Sequence, residues 1–315
     1  MLHLRAVCPP DKTAEALEIL RAHAGTAHLI VHRGAAVEPA GDLVEADVAR
    51  EAADEIVDAL CGLDLDHTGG ITLEALDTAL SDAADNAEEA APGEAADAVV
   101  WQELLGRTGE ESRLNVTFLA FLTIACLLAA VGVLTDSSVT IVGAMVVGPE
   151  FGPLAALAVG TVLRRWDLVR QAGAALGVGF PLAMVVTLGA ALLFRATDVL
   201  GERAFELRQH NEVDFVFSVG APSLVVAMLA GAAGMLAMTS SKSAALVGVF
   251  ISVTTVPAAG YAVVAAVAGE WSRCLQSVGQ LLVNLLGIVA AAAIVLIVRR
   301  NGQRSPAGMR PLSRG

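Results

Sequence analysis

The sequence predicts an α-helical polytopic membrane protein of six spans, arranged as a 3+3 inverted repeat, behind an N-terminal α+β ferredoxin-like βαββαβ cytoplasmic domain. Three observations predict it. Of 315 residues, 55% are hydrophobic and 17% charged, with a mean hydropathy of +0.65, whereas soluble chains carry about 25% charged residues. The charge is also divided. Residues 1–100 hold 5 Lys/Arg against 21 Asp/Glu, a net of −16, and residues 101–315 hold 15 against 12, a net of +3. Finally, apolar runs of about 20 residues, the length that crosses a bilayer, recur from residue 114 onward. An acidic soluble part lacks the basic footprint of a nucleic-acid binder, so no nucleic acid is expected as a partner.

Residues 1–80 carry the cytoplasmic domain. Residues 2–8 (LHLRAVC) alternate as a strand, and Pro9-Pro10-Asp11 breaks the chain before a helix over 12–24 with Ala14, Leu17, Leu20 and Ala24 at helical spacing. Strand-like runs follow at 27–33 and 42–48, then a helix over 49–62 with Ala52, Ile56, Ala59 and Leu60 on one face, then a last strand after Gly69-Gly70. This order is the split βαβ pattern. The N-terminus lacks the apolar core of a signal peptide, which keeps this domain in the cytoplasm. Asp64 and Asp66 stand at positions 1 and 3 of a calcium-loop pattern, but Ala75 occupies the place of its bidentate Glu, so a plain turn is the better reading. His28 and His32 share a strand face without a third ligand at a recognisable spacing. Cys8, Cys61, Cys126 and Cys274 form no CxxC pair and read as reduced thiols. Nothing names a cofactor.

Residues 81–100 are acidic and Ala-rich, broken by Pro92-Gly93, and read as a linker or a loosely packed helix, followed to residue 113 by an amphipathic lead-in helix from Trp101. The membrane domain is 114–298, with spans near 114–134, 138–162, 169–194, 219–239, 243–268 and 274–298, and 299–315 is a basic tail. One set of flanks holds 11 Lys/Arg and the other 4, the latter including Arg195 in a long outer loop at 195–218. The positive-inside rule then places both termini in the cytoplasm and the chain in a bacterial-type inner membrane. Gly231 and Gly234, and Gly173 and Gly177, predict close helix contacts, and small-residue faces predict a homo-oligomer.

A shift of 105 residues lays Ser138–Gly143 on Ser243–Gly248, Trp166 on Trp271, Gln171 on Gln276, and Leu176 and Val178 on Leu281 and Val283. Three spans per repeat would set the halves inverted, as recurs in secondary transporters. Within span 2, Gly148-Pro149-Glu150-Phe151-Gly152-Pro153 interrupts the helix, and span 5 has Thr254-Thr255-Val256-Pro257 at the matching place. Prolines free carbonyls that must be buried or line a wet cavity. Glu150 is a carboxylate at mid-membrane depth, a costly placement that points either to an ion or proton site or to a structural cap. Thr254 and Thr255 offer hydroxyl ligands, and Asn284 in span 6 either completes the site or, the better reading, makes an interhelical hydrogen bond.

The run from Ile141 to Pro153, with its Gly-Ala-Met stretch leading to Gly152-Pro153, resembles the signature of the uncharacterised hydrophobic-domain family known as domain of unknown function 389. The resemblance covers about residues 114–298 and extends to a soluble N-terminal domain of actinobacterial type. It implies a multi-span inner-membrane protein and assigns no substrate. Glu150 departs from the family pattern, in which a small residue or Leu commonly stands at this place.

These features lead to the expectation of a membrane transport protein, channel or transporter, for a small ion or polar solute, regulated by its cytoplasmic domain. The alternative is a signalling or scaffolding protein whose spans oligomerise a ligand-sensing domain. The spans contain no HExxH, GxSxG or acid pair, so no enzyme is expected.

Overall fold

A computed structural model describes residues 1–76, 78–91, 99–198, 205, 221–240 and 255–304. The chain divides into two compact units, one built on Met1–Leu104, the other on Leu105–Met238 and the described residues up to Arg300.

The first unit is an antiparallel sheet with helices. Its strands are β1 (Leu2–Cys8), β2 (Thr26–Val37), β3 (Ala40–Val48) and β4 (Gly70–Ala75), ordered β2-β3-β1-β4. Helices α1 (Thr13–Ala22) and α2 (Arg50–Gly62) complete the βαββαβ connectivity. Alternation decides which face is covered: Leu2, Leu4, Ala6 and Cys8 of β1 and Val44, Ala46 and Val48 of β3 are buried in one core with Leu17 and Leu20 of α1 and Ile56 and Leu60 of α2. The intervening residues of these strands, His3, Glu45 and Asp47 among them, lie on the other face. Within the segment read as a linker or loosely packed helix, residues 82–90 are helical. Ser81 caps α4 (Asp82–Ala90), which packs on β2, and Val100 is buried in the sheet core. The near-miss calcium loop is a single turn, α3 (Leu65–Thr68), with Asp64 in the left-handed region at φ 59°.

The second unit is helical. After α5 (Trp101–Glu111) come α6 (Val116–Leu134), α7 (Ser138–Val147), α8 (Phe151–Val162), α9 (Trp166–Thr197), α10 (Ala221–Thr239), α11 (Val256–Ala268) and α12 (Trp271–Arg304). Among the described residues, four helices, α6, α9, α10 and α12, are long and apolar enough to cross a membrane. The expected second span is the pair α7 and α8, bent by 51° at its break, and α11 is a shorter apolar helix of 13 residues. The first part of the expected fifth span lies outside the described residues, as does most of the 195–218 loop. Arg195 stands in the last turn of α9 rather than in a loop, because that helix continues to Thr197.

Every helix from α6 to α12 contributes to one core, including Leu122, Cys126 and Ala129 of α6, Ala144 of α7, Leu154 of α8, Phe180 of α9, Ala227 of α10, Ala259 of α11 and Ile288 of α12. Large apolar side chains also point outward, Val185 and Leu193 on α9, Leu229 on α10, and Leu275, Leu286 and Val298 on α12. In water such a surface would be an aggregation hazard, and against lipid it is the expected exterior. Of the glycines expected at helix contacts, Gly231 is one: a Cβ there would lie 2.8 Å from the Ile288 Cα. Gly173 and Gly177 are not, since a Cβ on either would meet nothing within 4 Å.

Candidate functional site in the helical unit

The site begins with two helix N-termini. Helix α7 stops at Gly148, and Pro149, which has no N–H to donate, cannot continue its ladder. Helix α8 restarts with Glu150 as its N-cap. Helix α11 starts in the same manner, with Thr255 as N-cap and Pro257 in the first helical positions, where a missing N–H costs nothing. Pro153 likewise sits in the first turn of α8. Pro153 and Pro257 thus stand in the opening turns of α8 and α11, where their preset φ suits a helix start. Gly152 serves close packing rather than the break, for a Cβ there would stand 2.6 Å from the Cβ of Glu111.

The two N-caps meet. The Thr255 hydroxyl donates to Glu150 Oε1 at 2.5 Å, and both residues are 0% exposed. A buried carboxylate is tolerable only where donors and local dipoles compensate it, and helix N-termini supply positive potential of that kind. Glu150 and Thr255 stand at the N-termini of α8 and α11 respectively. Cys126 of α6 is also fully buried.

Asn284 is fully buried on α12 and accepts from the Ser223 hydroxyl of α10 at 3.1 Å, while Gln280 Nε2 donates to Ser223 Oγ at 3.1 Å. Ser277, Gln280 and Asn284 are all buried. Their spacing of three and four residues on one apolar helix is a signal present in the sequence, of which the expected site took only Asn284. Thr254 lies outside the described residues. Asp64 is the N-cap of the single turn α3, and Asp66 lies within it. With His67 their ligand atoms lie within 4.8 Å of one another, but all three residues are exposed, and Asp64 also faces the Lys12 ammonium at 3.7 Å.

Residues 145–290 match the model of the family described as Domain of unknown function (DUF389). This segment belongs to the DUF389 family. The matched segment begins at Met145, before the α7–α8 break, and ends beyond Asn284, so the DUF389 region contains Glu150, Thr255 and the Ser223–Gln280–Asn284 cluster. Comparison with curated proteins and with solved structures finds no match.

Proposed function

We propose that the chain is a membrane transport protein, a channel or transporter for a small ion or polar solute, and not an enzyme. The observation that carries this reading is the fully buried Glu150 carboxylate, hydrogen-bonded to Thr255 where α8 and α11 begin. Ionisable groups at membrane depth are costly and recur on substrate and proton pathways, and broken helices whose N-termini point at a site recur in transporters built from inverted repeats. Glu150 is the ion- or proton-binding group, with Thr255 and the preceding Thr254 as hydroxyl ligands and Asn284 as a further polar contributor.

The inverted repeat draws support from helix boundaries. A shift of 105 residues carries the start of α6 at Val116 to that of α10 at Ala221, α8 at Phe151 to α11 at Val256, and α9 at Trp166 to α12 at Trp271. Contacts follow the same shift: Phe118 lies against Gly179, and their mates Ser223 and Asn284 share a hydrogen bond. A bilayer orientation with both termini in the cytoplasm agrees with two groups of contacts. Arg300 donates to the Val162 carbonyl, and Gln171 donates to the Gly109 carbonyl, joining segments assigned to the inner side. Arg195 donates to the Val267 carbonyl, joining segments assigned to the outer side. The cytoplasmic domain regulates transport, and the membrane unit works as a homo-oligomer in an inner membrane.

The test is flux through liposomes containing the purified full-length protein, with a panel of monovalent ions, protons and small polar solutes. Transport that falls at least tenfold in Glu150→Gln, with the variant still folded, supports the reading. Absence of flux for the whole panel, or flux indifferent to Glu150→Gln and Glu150→Ala, overturns it and favours the signalling alternative.

A further inference from the structure

Three of the chain's six histidines gather on the open face of the sheet around two carboxylates. His3 comes from β1, His28 and His32 from β2, and Glu45 and Asp47 from β3, which lies between them. His3 Nδ1 hydrogen-bonds Asp47 Oδ1 at 2.8 Å, and His28 Nδ1 reaches Asp47 Oδ2 at 2.7 Å while its Nε2 meets Ser81 Oγ at 2.8 Å. The two oxygens of Glu45 are flanked by His3 Nε2 at 3.9 Å and His32 Nε2 at 3.7 Å.

The polarity of this arrangement is informative. Asp47 holds the Nδ1 side of His3, so in the neutral ring the Nδ1 atom carries the proton and Nε2 presents a lone pair toward Glu45. A carboxylate behind one ring nitrogen is the usual support of a metal-binding histidine, because it sets the tautomer and makes the other nitrogen more basic. Two imidazoles and a carboxylate suit zinc and similar divalent transition metals, and suit calcium or magnesium poorly, since those prefer all-oxygen shells. The net of −16 over residues 1–100 raises the local concentration of cations at this face. His28 acts differently. With Ser81 on its far nitrogen, it fixes Asp47 in place.

We propose that the open face of the sheet binds one divalent transition-metal ion, zinc by its donor set, through His3 Nε2, His32 Nε2 and the Glu45 carboxylate, with Asp47 as the positioning residue for His3. His32, at 55% exposed, is the ligand free to turn inward on binding. The site is separate from the Glu150–Thr255 pair and does not depend on the transport reading.

The experiment is calorimetric titration of zinc into the full-length protein in detergent, freed of metal by chelator and carrying no histidine tag, with cobalt absorption spectra reporting nitrogen ligation. One ion per chain is expected. Affinity should fall by at least tenfold in His32→Ala and Glu45→Gln, both on an open face where far-UV spectra can confirm retained folding, and by about 10- to 100-fold in Asp47→Asn, the range of supporting-residue losses at other metal sites. Asp64→Asn combined with Asp66→Asn should leave binding unchanged. No heat of binding, binding unaffected by His32→Ala and Glu45→Gln, or binding abolished by the Asp64/Asp66 pair of changes would each overturn the proposal.

Discussion

Glu150 and Thr255 lie 105 residues apart and share one buried hydrogen bond of 2.5 Å. The carboxylate and the hydroxyl belong to the N-caps of α8 and α11. Removing the hydroxyl leaves the carboxylate without that donor. Thr255→Val should lower stability by about 1–3 kcal/mol, the cost of orphaning a buried polar partner, while Thr255→Ser should restore most of it. Thermal melts of the full-length protein in detergent read the difference, and a melt unchanged in Thr255→Val would sink the claim.

Helices α6 and α11 approach closely at Gly260. A Cβ there would lie 2.7 Å from the Ala129 Cβ and 3.0 Å from the backbone N of Ala130, which cannot retreat. Gly260→Leu should therefore cost about 1–3 kcal/mol or more as overpacking, seen as a lower melting temperature and lower yield. Gly173→Ala, in open space, is the matched control and should be neutral or slightly stabilising through helix propensity.

Asp54 of α2 accepts the Trp101 N–H at 2.9 Å at the start of α5. Burial pushes its carboxyl up to about 6, with Asp58 adding to the rise against the lowering effects of the Trp101 N–H and Arg50. An acid raised by folding stabilises the fold when protonated, so this contribution is complete below the usual carboxylate range and is lost as pH rises through about 6. Asp54→Asn keeps an acceptor for Trp101 without the charge. It should stabilise the sheet-containing unit by roughly 1 kcal/mol at about pH 8 after solvent screening is allowed for, and the gain should shrink between about pH 6 and pH 4. Denaturation curves on either side of that range check the sign.

Asp42 behaves in the opposite sense. The Gly34 N–H at 2.8 Å, the Thr13 hydroxyl at 2.8 Å and the Arg33 guanidinium at 2.6 Å hold its carboxyl below the usual range. Its contribution is present above that range and is lost as pH falls through the lowered value. Asp42→Asn should be less stable than wild type at neutral pH, and the two should converge in strong acid. A constant gap between their melting temperatures from neutral pH down to strong acid would contradict this assignment.

Much of the sheet-containing unit was legible in the sequence. The alternation of Leu2, Leu4, Ala6 and Cys8 and the helical spacing of Leu17 and Leu20 report burial directly, because each places one face against a core. Helix α4 was less legible: nine residues rich in Asp, Glu and Ala have little apolar surface to signal packing, and the buried Ala84 and Ala87 are too small to stand out. In the helical unit, hydropathy located the long helices α6, α9, α10 and α12, and the Gly148–Pro153 run located the break between α7 and α8, but not its 51° bend. Gly152, Gly173 and Gly177 show the same limit. Glycine at a helix surface reads alike whether a neighbour presses on it, as Glu111 does on Gly152, or nothing does.

By itself, the sequence determined the division into an acidic βαββαβ unit and an apolar helical one, the position of Glu150 within an apolar stretch, and the prolines at the interruptions. These follow from local quantities, namely hydropathy, alternation and the missing proline N–H. Only the tertiary structure decided that Glu150 meets Thr255, that Asn284 meets Ser223, and that His3 joins His28 and His32 around Glu45 and Asp47. Each of these pairings joins side chains from separate helices or strands, and their partnership depends on packing and strand register, which no local pattern encodes.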